Sequence, residues 1–351
     1  MNKKILPAFL SVQGFSLSDE EKRLFESCNP LGVCLFAKGC NNVQNKAQLQ
    51  RLCKDIKETI GRNDILIAVD QEGGRVRRLT EPEFTPLSEQ VRLTTEDLVR
   101  EHAFLASYDL KNCGMNVNFA PVLDVYYDFT SAVLKGRCFA GDEKQIAKLG
   151  RAMVAEFEAN GVCPCVKHLP GHGRAQSDPH LELPVIDDDL EILEQDFYPF
   201  KQLNNAPMGM VAHILLTAVD TVYPASESAK VIQNIIRKHI GFNGFLVSDA
   251  VMMQALKGSI SERTQRTLAA GCDAVCLGNA DFAANAELAA SGAVLSDEAA
   301  ERLAVVRQII ARPLKKQSYV QAENKYCATL KNIITYNSDY DATEILSRIR
   351  K

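Results

Sequence analysis

Short apolar runs of strand length recur along the chain, and each is followed by a longer stretch whose apolar residues repeat with the period of an α-helix. The runs are continuously apolar rather than alternating, which is typical of parallel strands covered on both faces. The amphipathic stretches include residues 45–60, 142–161 and 262–271, and they end near Gly or Asn, as helices commonly do. The runs number eight, at 7–14, 31–38, 64–71, 115–122, 161–168, 208–213, 244–250 and 272–279.

Eight β-α repeats predict an α/β fold of the (β/α)8 TIM-barrel type over residues 1–290. An open doubly wound sheet with a dinucleotide site is less favoured, because no G-x-G-x-x-G sequence follows the first run. Residues 291–351 contain two helix-like stretches, 301–313 and 324–336. We expect them to form a C-terminal helical extension that packs on the barrel.

Composition and charge exclude several classes of protein. The 351 residues are 46% hydrophobic and 24% charged, which is ordinary for a globular chain. Lysine and arginine together number 40 against 44 acidic residues, well mixed, so we expect neither a nucleic-acid nor a membrane partner. No apolar stretch reaches 18 residues, and Pro7 and Ser11 interrupt the first run, which favours a strand over a signal peptide.

The eleven cysteines are odd in number, lie mostly in apolar runs and form no C-x-x-C pair. This pattern favours buried free thiols in a reducing compartment over a disulfide framework. We therefore expect a cytoplasmic protein, and we expect it to be a monomer.

Polar residues stand where several of the apolar runs finish. They are Asp70, the neighbours Lys167 and His168, then His213 and Asp249. The C-terminal ends of barrel strands converge on one mouth, where the active sites of this fold are built. These five residues therefore predict a single site.

The segment KHLPGHGRAQSDPH, residues 167–180, begins at the end of the fifth run and holds three of the six histidines. A loop in this position can arch over the barrel mouth. An aspartate together with a second ionisable group that acts as acid and base fits glycosyl transfer to water. A serine hydrolase is disfavoured, because the chain has no G-x-S-x-G sequence.

A metal site is the competing interpretation, since His168, His172, His213 and Asp249 resemble a ligand set for zinc or manganese. The three residues between His168 and His172 are Leu-Pro-Gly, however, so the pair does not lie on one helix face. Lys167 also places an ammonium group where the cation would bind. We therefore expect no metal and no other cofactor.

Several sequence motifs together resemble glycoside hydrolase family 3, and within it the bacterial single-barrel β-N-acetylglucosaminidases (β-hexosaminidases) of peptidoglycan recycling. The resemblance runs from about residue 5 to about residue 300, with the motifs in the family's order. The motifs are VDQEGGRV (69–76), NVNFAPVLDV (116–125), GRCFAGD (136–142), KHLPGHG (167–173), DPH (178–180), YPASES (223–228) and GFLVSDAVMM (244–253).

This resemblance implies a role for each matching residue. Asp249 matches the nucleophile that forms a covalent glycosyl-enzyme, His180 the general acid/base, and Asp178 the partner of that histidine. The resemblance also implies an exo-acting retaining enzyme that releases N-acetylglucosamine from fragments ending in 1,6-anhydro-N-acetylmuramic acid, with or without peptide. Contacts to the sugar hydroxyls fall on Asp70, Arg78, Arg137, Lys167 and His168.

Two positions depart from the family's pattern. Pro179 stands where the family usually has Ser between the Asp and the His, and Ala250 stands where an aspartate commonly follows the nucleophile. Proline fixes φ and removes a backbone N–H, so we expect it to alter the rate of a step that needs loop motion. It also motivates an alternative hypothesis, a carbohydrate-binding barrel without turnover. A metal-dependent barrel hydrolase is the third hypothesis.

Overall fold

The computed structural model describes residues 4–330, whose main feature is a closed barrel of eight parallel strands. Around the barrel the strands follow chain order, and the first pairs with the last to close it. The barrel strands are β1 (Leu6–Ser11), β2 (Pro30–Leu35), β3 (Leu66–Val69), β4 (Val117–Asn118), β5 (Cys163–Leu169), β7 (Met208–Val211), β9 (Phe245–Ala250) and β10 (Ala274–Cys276). Each overlaps one of the eight apolar runs, and the predicted (β/α)8 fold is confirmed.

Two further strands, which the apolar pattern did not predict, form a small parallel sheet outside the barrel. They are β6 (Val185–Ile186) and β8 (Leu215–Leu216). Because β6 follows β5 and β8 follows β7, this sheet joins two of the loops that leave the C-terminal ends of barrel strands.

Helices fill the connections between the barrel strands. The connection before β9 contains a π-helical segment, Val231–His239, in which the Ile240 N–H donates to the Ile235 carbonyl five residues back. The α-helices are α1 (Asp19–Cys28), α2 (Lys46–Ile60), α3 (Glu96–Cys113), α4 (Glu143–Ala159), α5 (Leu190–Gln202), α6 (Ile260–Ala270), α7 (Phe282–Ala289), α8 (Asp297–Ile310) and α9 (Tyr319–Thr329). The three amphipathic stretches predicted from the sequence correspond to α2, α4 and α6.

Helices α8 and α9 follow the last strand and pack on different parts of the barrel. The apolar face of α8, with Leu303 and Val306, belongs to the same buried cluster as the barrel interior. Helix α9 packs on α3, where the rings of Tyr319 and Tyr108 lie 4.4 Å apart between centroids. The stretch predicted at 324–336 continues past the described residues, and the division at residue 290 stays a prediction.

Two buried layers surround the strands: one between strands and helices, and one inside the barrel. Inside, the rings of Phe9 and Phe119 meet edge to face with centroids 5.7 Å apart. Gly32 leaves room for this arrangement, because a Cβ there would collide with the Phe9 ring and the Leu66 carbonyl. The eleven cysteines are free thiols, and nine of them are buried, as expected.

None of the helices within residues 4–330 combines the length and the apolar character needed to cross a bilayer.

We expect Phe9→Ala to lower the free energy of unfolding by about 3–5 kcal/mol, because it empties a ring's volume in a core that cannot collapse around it. Urea unfolding followed by circular dichroism measures this. The matched control is Phe15→Ala, since Phe15 is 43% exposed; its effect should stay within about 0.5 kcal/mol. Equal losses in the two variants would contradict the packing described for the barrel interior.

Candidate active site

A pocket of about 800 Å3, its open mouth included, lies at the C-terminal ends of the barrel strands. Its floor is apolar and includes Phe36, Phe119 and Met210 from the barrel interior. Its walls carry seven of the eight residues predicted from the sequence for catalysis or sugar binding. The seven are Asp70, Arg78, Arg137, Lys167, His168, His180 and Asp249, and the eighth, Asp178, bonds to His180.

A buried carboxylate, Glu72, holds two of the cations on one side of this pocket. Its Oε1 lies 2.6 Å from Lys167 Nζ, and both of its oxygens accept bonds of 2.8 Å from the Arg137 guanidinium. Burial acts to raise the pKa of Glu72, but Arg137 and Lys167 together hold it far below its usual range. Burial likewise acts to lower the pKa of Lys167, and Asp70 and Glu72 raise it above its ordinary value. All three groups are therefore charged.

Asp70, one residue beyond β3, joins this cluster to the pocket. Its Oδ1 accepts a 2.8 Å bond from Lys167 Nζ, and its Oδ2 lies 3.4 Å from Arg78 Nη2. The Arg78 guanidinium lies 5.6 Å from the centre of the Phe36 ring. Its buried Nε–H has no hydrogen-bond partner within residues 4–330. The cluster therefore presents fixed charges to a polar ligand.

The loop after β5 carries a carboxylate–imidazole pair, Asp178 and His180. Asp178 Oδ1 lies 2.7 Å from His180 Nδ1 and also accepts the His180 backbone N–H at 2.9 Å. This is the turn in which an Asp side chain binds the backbone two residues on, and proline suits its middle position. The Pro179 carbonyl accepts the Ala255 N–H at 3.1 Å. Pro179 is thus compatible with the pair and ties it to the loop after β9.

A second pair of the same kind, Asp124 and His168, lies deeper in the barrel mouth. Asp124 Oδ2 lies 2.6 Å from His168 Nδ1, while its Oδ1 accepts the backbone N–H groups of His168 and His172. Burial acts to raise the pKa of Asp124, but His168 and these hydrogen bonds lower it overall. The carboxylate therefore stays ionised and fixes the orientation of the His168 ring.

Asp249 lies near the end of β9 and lines the pocket. Burial acts to raise its pKa, but His168, His213, His180 and the Ala250 N–H, which donates to Oδ1 at 2.7 Å, lower it overall. Asp249 is therefore an ionised carboxylate in a largely desolvated place, which is the state a nucleophile needs.

His213 and His172 are the other two histidines of the ligand set that the metal hypothesis names. His213 Nε2 lies 3.1 Å from the Ala250 carbonyl and its Nδ1 2.7 Å from Ser226 Oγ, so both ring nitrogens have protein partners. The His172 ring lies 5.7 Å from that of His168, and burial lowers its pKa to about 4. Its Nδ1 has no partner within the described residues. Residues 4–330 contain no group of three or more His, Cys, Asp or Glu side chains that could hold a metal ion.

Neither Glu72 nor Asp124 was predicted from the sequence to be a site residue. Both lie inside quoted motifs, Glu72 in VDQEGGRV and Asp124 in NVNFAPVLDV. Glu72 stands two residues beyond Asp70. A second acidic residue after the same strand was the sequence feature that could have indicated a role for Glu72. Asp124 lies six residues beyond the two-residue strand β4, where the strand-end pattern gives no indication.

Comparison with known proteins gives a consistent result. Residues 7–308 match the family model for the N-terminal domain of glycosyl hydrolase family 3. The Beta-hexosaminidase of Bordetella avium (strain 197N) is 36% identical over 287 residues, which cover 78% of this chain and 80% of that protein.

Solved structures agree with this match. NagZ from Neisseria gonorrhoeae, in complex with N-trifluoroacetyl-D-glucosamine, has a TM-score of 0.83 and 29% identity, with coverage of 94% of this chain and 99% of that chain. A family 3 β-N-acetylglucosaminidase from Paenibacillus sp. str. FPU-7 has a TM-score of 0.76 and 26% identity. The match covers 98% of this chain but spans only 66% of the Paenibacillus chain.

We expect Glu72→Gln to lower the free energy of unfolding at pH 7 by about 3–5 kcal/mol, because it leaves two buried cations without their carboxylate. The pKa of Glu72 in the folded protein lies below its ordinary value of 4.5. The stabilisation by its carboxylate is therefore fully present above pH 4.5 and is lost as the pH falls further. The difference in the free energy of unfolding between wild type and variant, measured with urea, should therefore narrow below pH 4.5. Glu301→Gln, on the exposed face of α8, is the control and should change little. A gap independent of pH would contradict the charged state assigned to Glu72.

Proposed function

The chain belongs to glycoside hydrolase family 3, and from that membership we propose that it is a retaining exo-β-N-acetylglucosaminidase. Its substrates are peptidoglycan fragments that carry N-acetylglucosamine on 1,6-anhydro-N-acetylmuramic acid, with or without peptide. The observation that carries the proposal is the meeting of ionised Asp249 and the Asp178–His180 pair in one pocket, beside a cluster of fixed charges.

Asp249 attacks the anomeric carbon of the bound sugar and forms the covalent glycosyl-enzyme. The reaction passes through an oxocarbenium-like transition state, which a buried carboxylate stabilises by its charge. The depressed pKa of Asp249 keeps the attacking oxygen deprotonated. Its bond from the Ala250 N–H holds Oδ1 in place, so the carboxylate is oriented before substrate arrives.

His180 donates a proton to the departing oxygen in the first step. Because ionised Asp178 only accepts hydrogen bonds, His180 Nδ1 is the donor in their 2.7 Å contact. In the imidazolium form Nε2 carries a second proton, which it gives to the leaving group; the neutral ring then takes a proton from the attacking water at the same atom. Histidine suits both steps near neutral pH.

The charged cluster binds the sugar and holds it for attack. Asp70, Arg78, Arg137, Lys167 and His168 line the pocket and supply donors and acceptors for hydroxyl groups. Their mutual ion pairs fix their positions before binding, which reduces the entropic cost of reaching the reactive geometry. The apolar floor closes the pocket at its base, which supports exo action.

The mechanism needs no metal or other cofactor, and we propose that the enzyme works as a cytoplasmic monomer. The eleven free cysteines support the reducing compartment.

Release of nitrophenol from p-nitrophenyl N-acetyl-β-glucosaminide, compared with p-nitrophenyl β-glucoside and with and without EDTA, tests the activity. Cleavage of the first compound alone, unaffected by EDTA, is the expected result. Loss of activity with EDTA would instead favour the metal-dependent hydrolase. Silence with both compounds, together with measurable binding of N-acetylglucosamine, would favour the binding barrel. Release of N-acetylglucosamine from the anhydro-muropeptide then tests the natural substrate.

We expect Asp249→Asn to reduce kcat about a thousandfold or more, because the amide cannot form the glycosyl ester. Binding of N-acetylglucosamine, measured by calorimetry, should persist. Asp55→Asn, on helix α2 away from the pocket, is the matched control and should keep full activity. Near-normal turnover by Asp249→Asn would refute the nucleophile assignment.

We expect His180→Ala to slow the cleavage of poor leaving groups far more than that of good ones, because only a poor leaving group needs protonation as it departs. Rates for a series of aryl N-acetyl-β-glucosaminides of increasing phenol pKa measure this. An equal defect across the series would mean that His180 is not the general acid.

A further inference from the structure

Helix α9 lies outside the repeating β/α units, yet a buried chain of hydrogen bonds connects it to the pocket. Tyr326 Oη, fully buried, lies 2.8 Å from His102 Nδ1 on helix α3. His102 Nε2 lies 2.9 Å from the backbone carbonyl of Glu72. The Ser88 N–H donates to the same Tyr326 Oη at 2.9 Å. This series of hydrogen bonds therefore runs from helix α9 to Glu72, the residue that forms ion pairs with Lys167 and Arg137.

The direction of each hydrogen bond follows from the chemistry of the groups. A carbonyl only accepts, so His102 Nε2 carries the proton that is donated to Glu72. Burial lowers the pKa of His102 to about 4, so the ring is neutral and Nδ1 is an acceptor. The Tyr326 hydroxyl must then donate to Nδ1, and its oxygen accepts from the Ser88 N–H. Only one arrangement of protons satisfies every group.

The backbone at the end of this chain has little freedom. Gly73, with φ +110°, packs so closely that a Cβ would collide with the Ser88 carbonyl and approach the His102 ring. The N–H groups of Glu72 and Gly73 both donate to the Val76 carbonyl, at 3.0 and 3.1 Å. The position of the Glu72 backbone, and with it the reach of its carboxylate, is therefore set by contacts that include His102.

We propose that Tyr326 and His102 are positioning residues for the sugar-binding cluster, and that they act through Glu72. This inference rests on the proposed function for its effect on catalysis. Loss of the Tyr326 hydroxyl removes the donor to His102 and the acceptor for Ser88, which loosens the backbone beneath Glu72. Lys167 and Arg137 then lose their fixed positions. Contacts to the sugar are made in both ground and transition states, so the defect appears mainly in KM.

Tyr326→Phe in the full chain tests the proposal, with p-nitrophenyl N-acetyl-β-glucosaminide as substrate. We expect KM to rise roughly tenfold and kcat to stay within about threefold. The matched control is Tyr319→Phe on the same helix, whose hydroxyl bonds to Thr85 and Glu323 and not to His102. Its KM should stay within about twofold of wild type.

A double-mutant cycle with Glu72→Gln separates positioning from general stabilisation. If Tyr326 acts through Glu72, then Tyr326→Phe should raise KM by less than about twofold in the Glu72→Gln background. A cycle on the free energy of unfolding should show the same non-additivity. Should the wild type fail to cleave the substrate, the proposed function is refuted, and the unfolding cycle still decides whether Tyr326 and Glu72 are coupled.

Two results would overturn the proposal. One is a Tyr326→Phe enzyme that melts at a lower temperature with unchanged KM, and the other is full additivity with Glu72→Gln. If Tyr326→Phe does not fold, His102→Gln and His102→Leu provide the same test. His102→Gln keeps a donor for the Glu72 carbonyl, so its KM should stay closer to that of wild type than the KM of His102→Leu. Equal KM values for the two variants would contradict the proposal.

Discussion

The buried carboxylate of Glu72, held between Lys167 and Arg137, is the interaction on which the pocket depends. Three groups from three separate parts of the chain meet there: a loop after β3, a loop after β4, and β5 itself. A buried charge without a partner costs several kcal/mol. Movement of any one of the three groups would therefore leave a buried charge unpaired. The ion cluster therefore fixes the relative positions of neighbouring strand ends as well as the charges that line the pocket.

The pocket contains two groups of functional side chains. In the mechanism that we propose, Glu72 and Asp70 hold the cations that bind the sugar, whereas Asp249 and His180 carry out the reaction. His168 and His180 share one arrangement, because the Nδ1 atom of each lies within hydrogen-bond distance of a carboxylate. A carboxylate partner sets the tautomer and orients the ring, so the Nε2 atom is prepared for the substrate before it binds.

Much of this arrangement follows from the sequence, because parallel strands gather their C-terminal ends at one mouth. That rule alone brought Asp70, Lys167, His168 and Asp249 together from positions up to 179 residues apart. The ion pairs of Glu72 were beyond such reasoning, since they depend on which loop side chains turn inward.

The smaller elements were also missed, for local reasons. Strands β6 and β8 have two residues each, too few for a periodic signal. The apolar pattern of Val231–His239 does not distinguish i+5 from i+4 hydrogen bonding. The hydrogen bond between Tyr326 and His102 joins residues 224 apart in the sequence, so no local pattern predicts it.

The stereochemistry of the first product is the strongest test of Asp249 as the nucleophile. Proton NMR recorded during cleavage of p-nitrophenyl N-acetyl-β-glucosaminide distinguishes the two anomers before they equilibrate in water. A covalent intermediate on Asp249 involves two displacements at the anomeric carbon, so we expect β-N-acetylglucosamine as the first product. The α-anomer as first product would mean a single displacement by water, and would contradict Asp249 as the nucleophile.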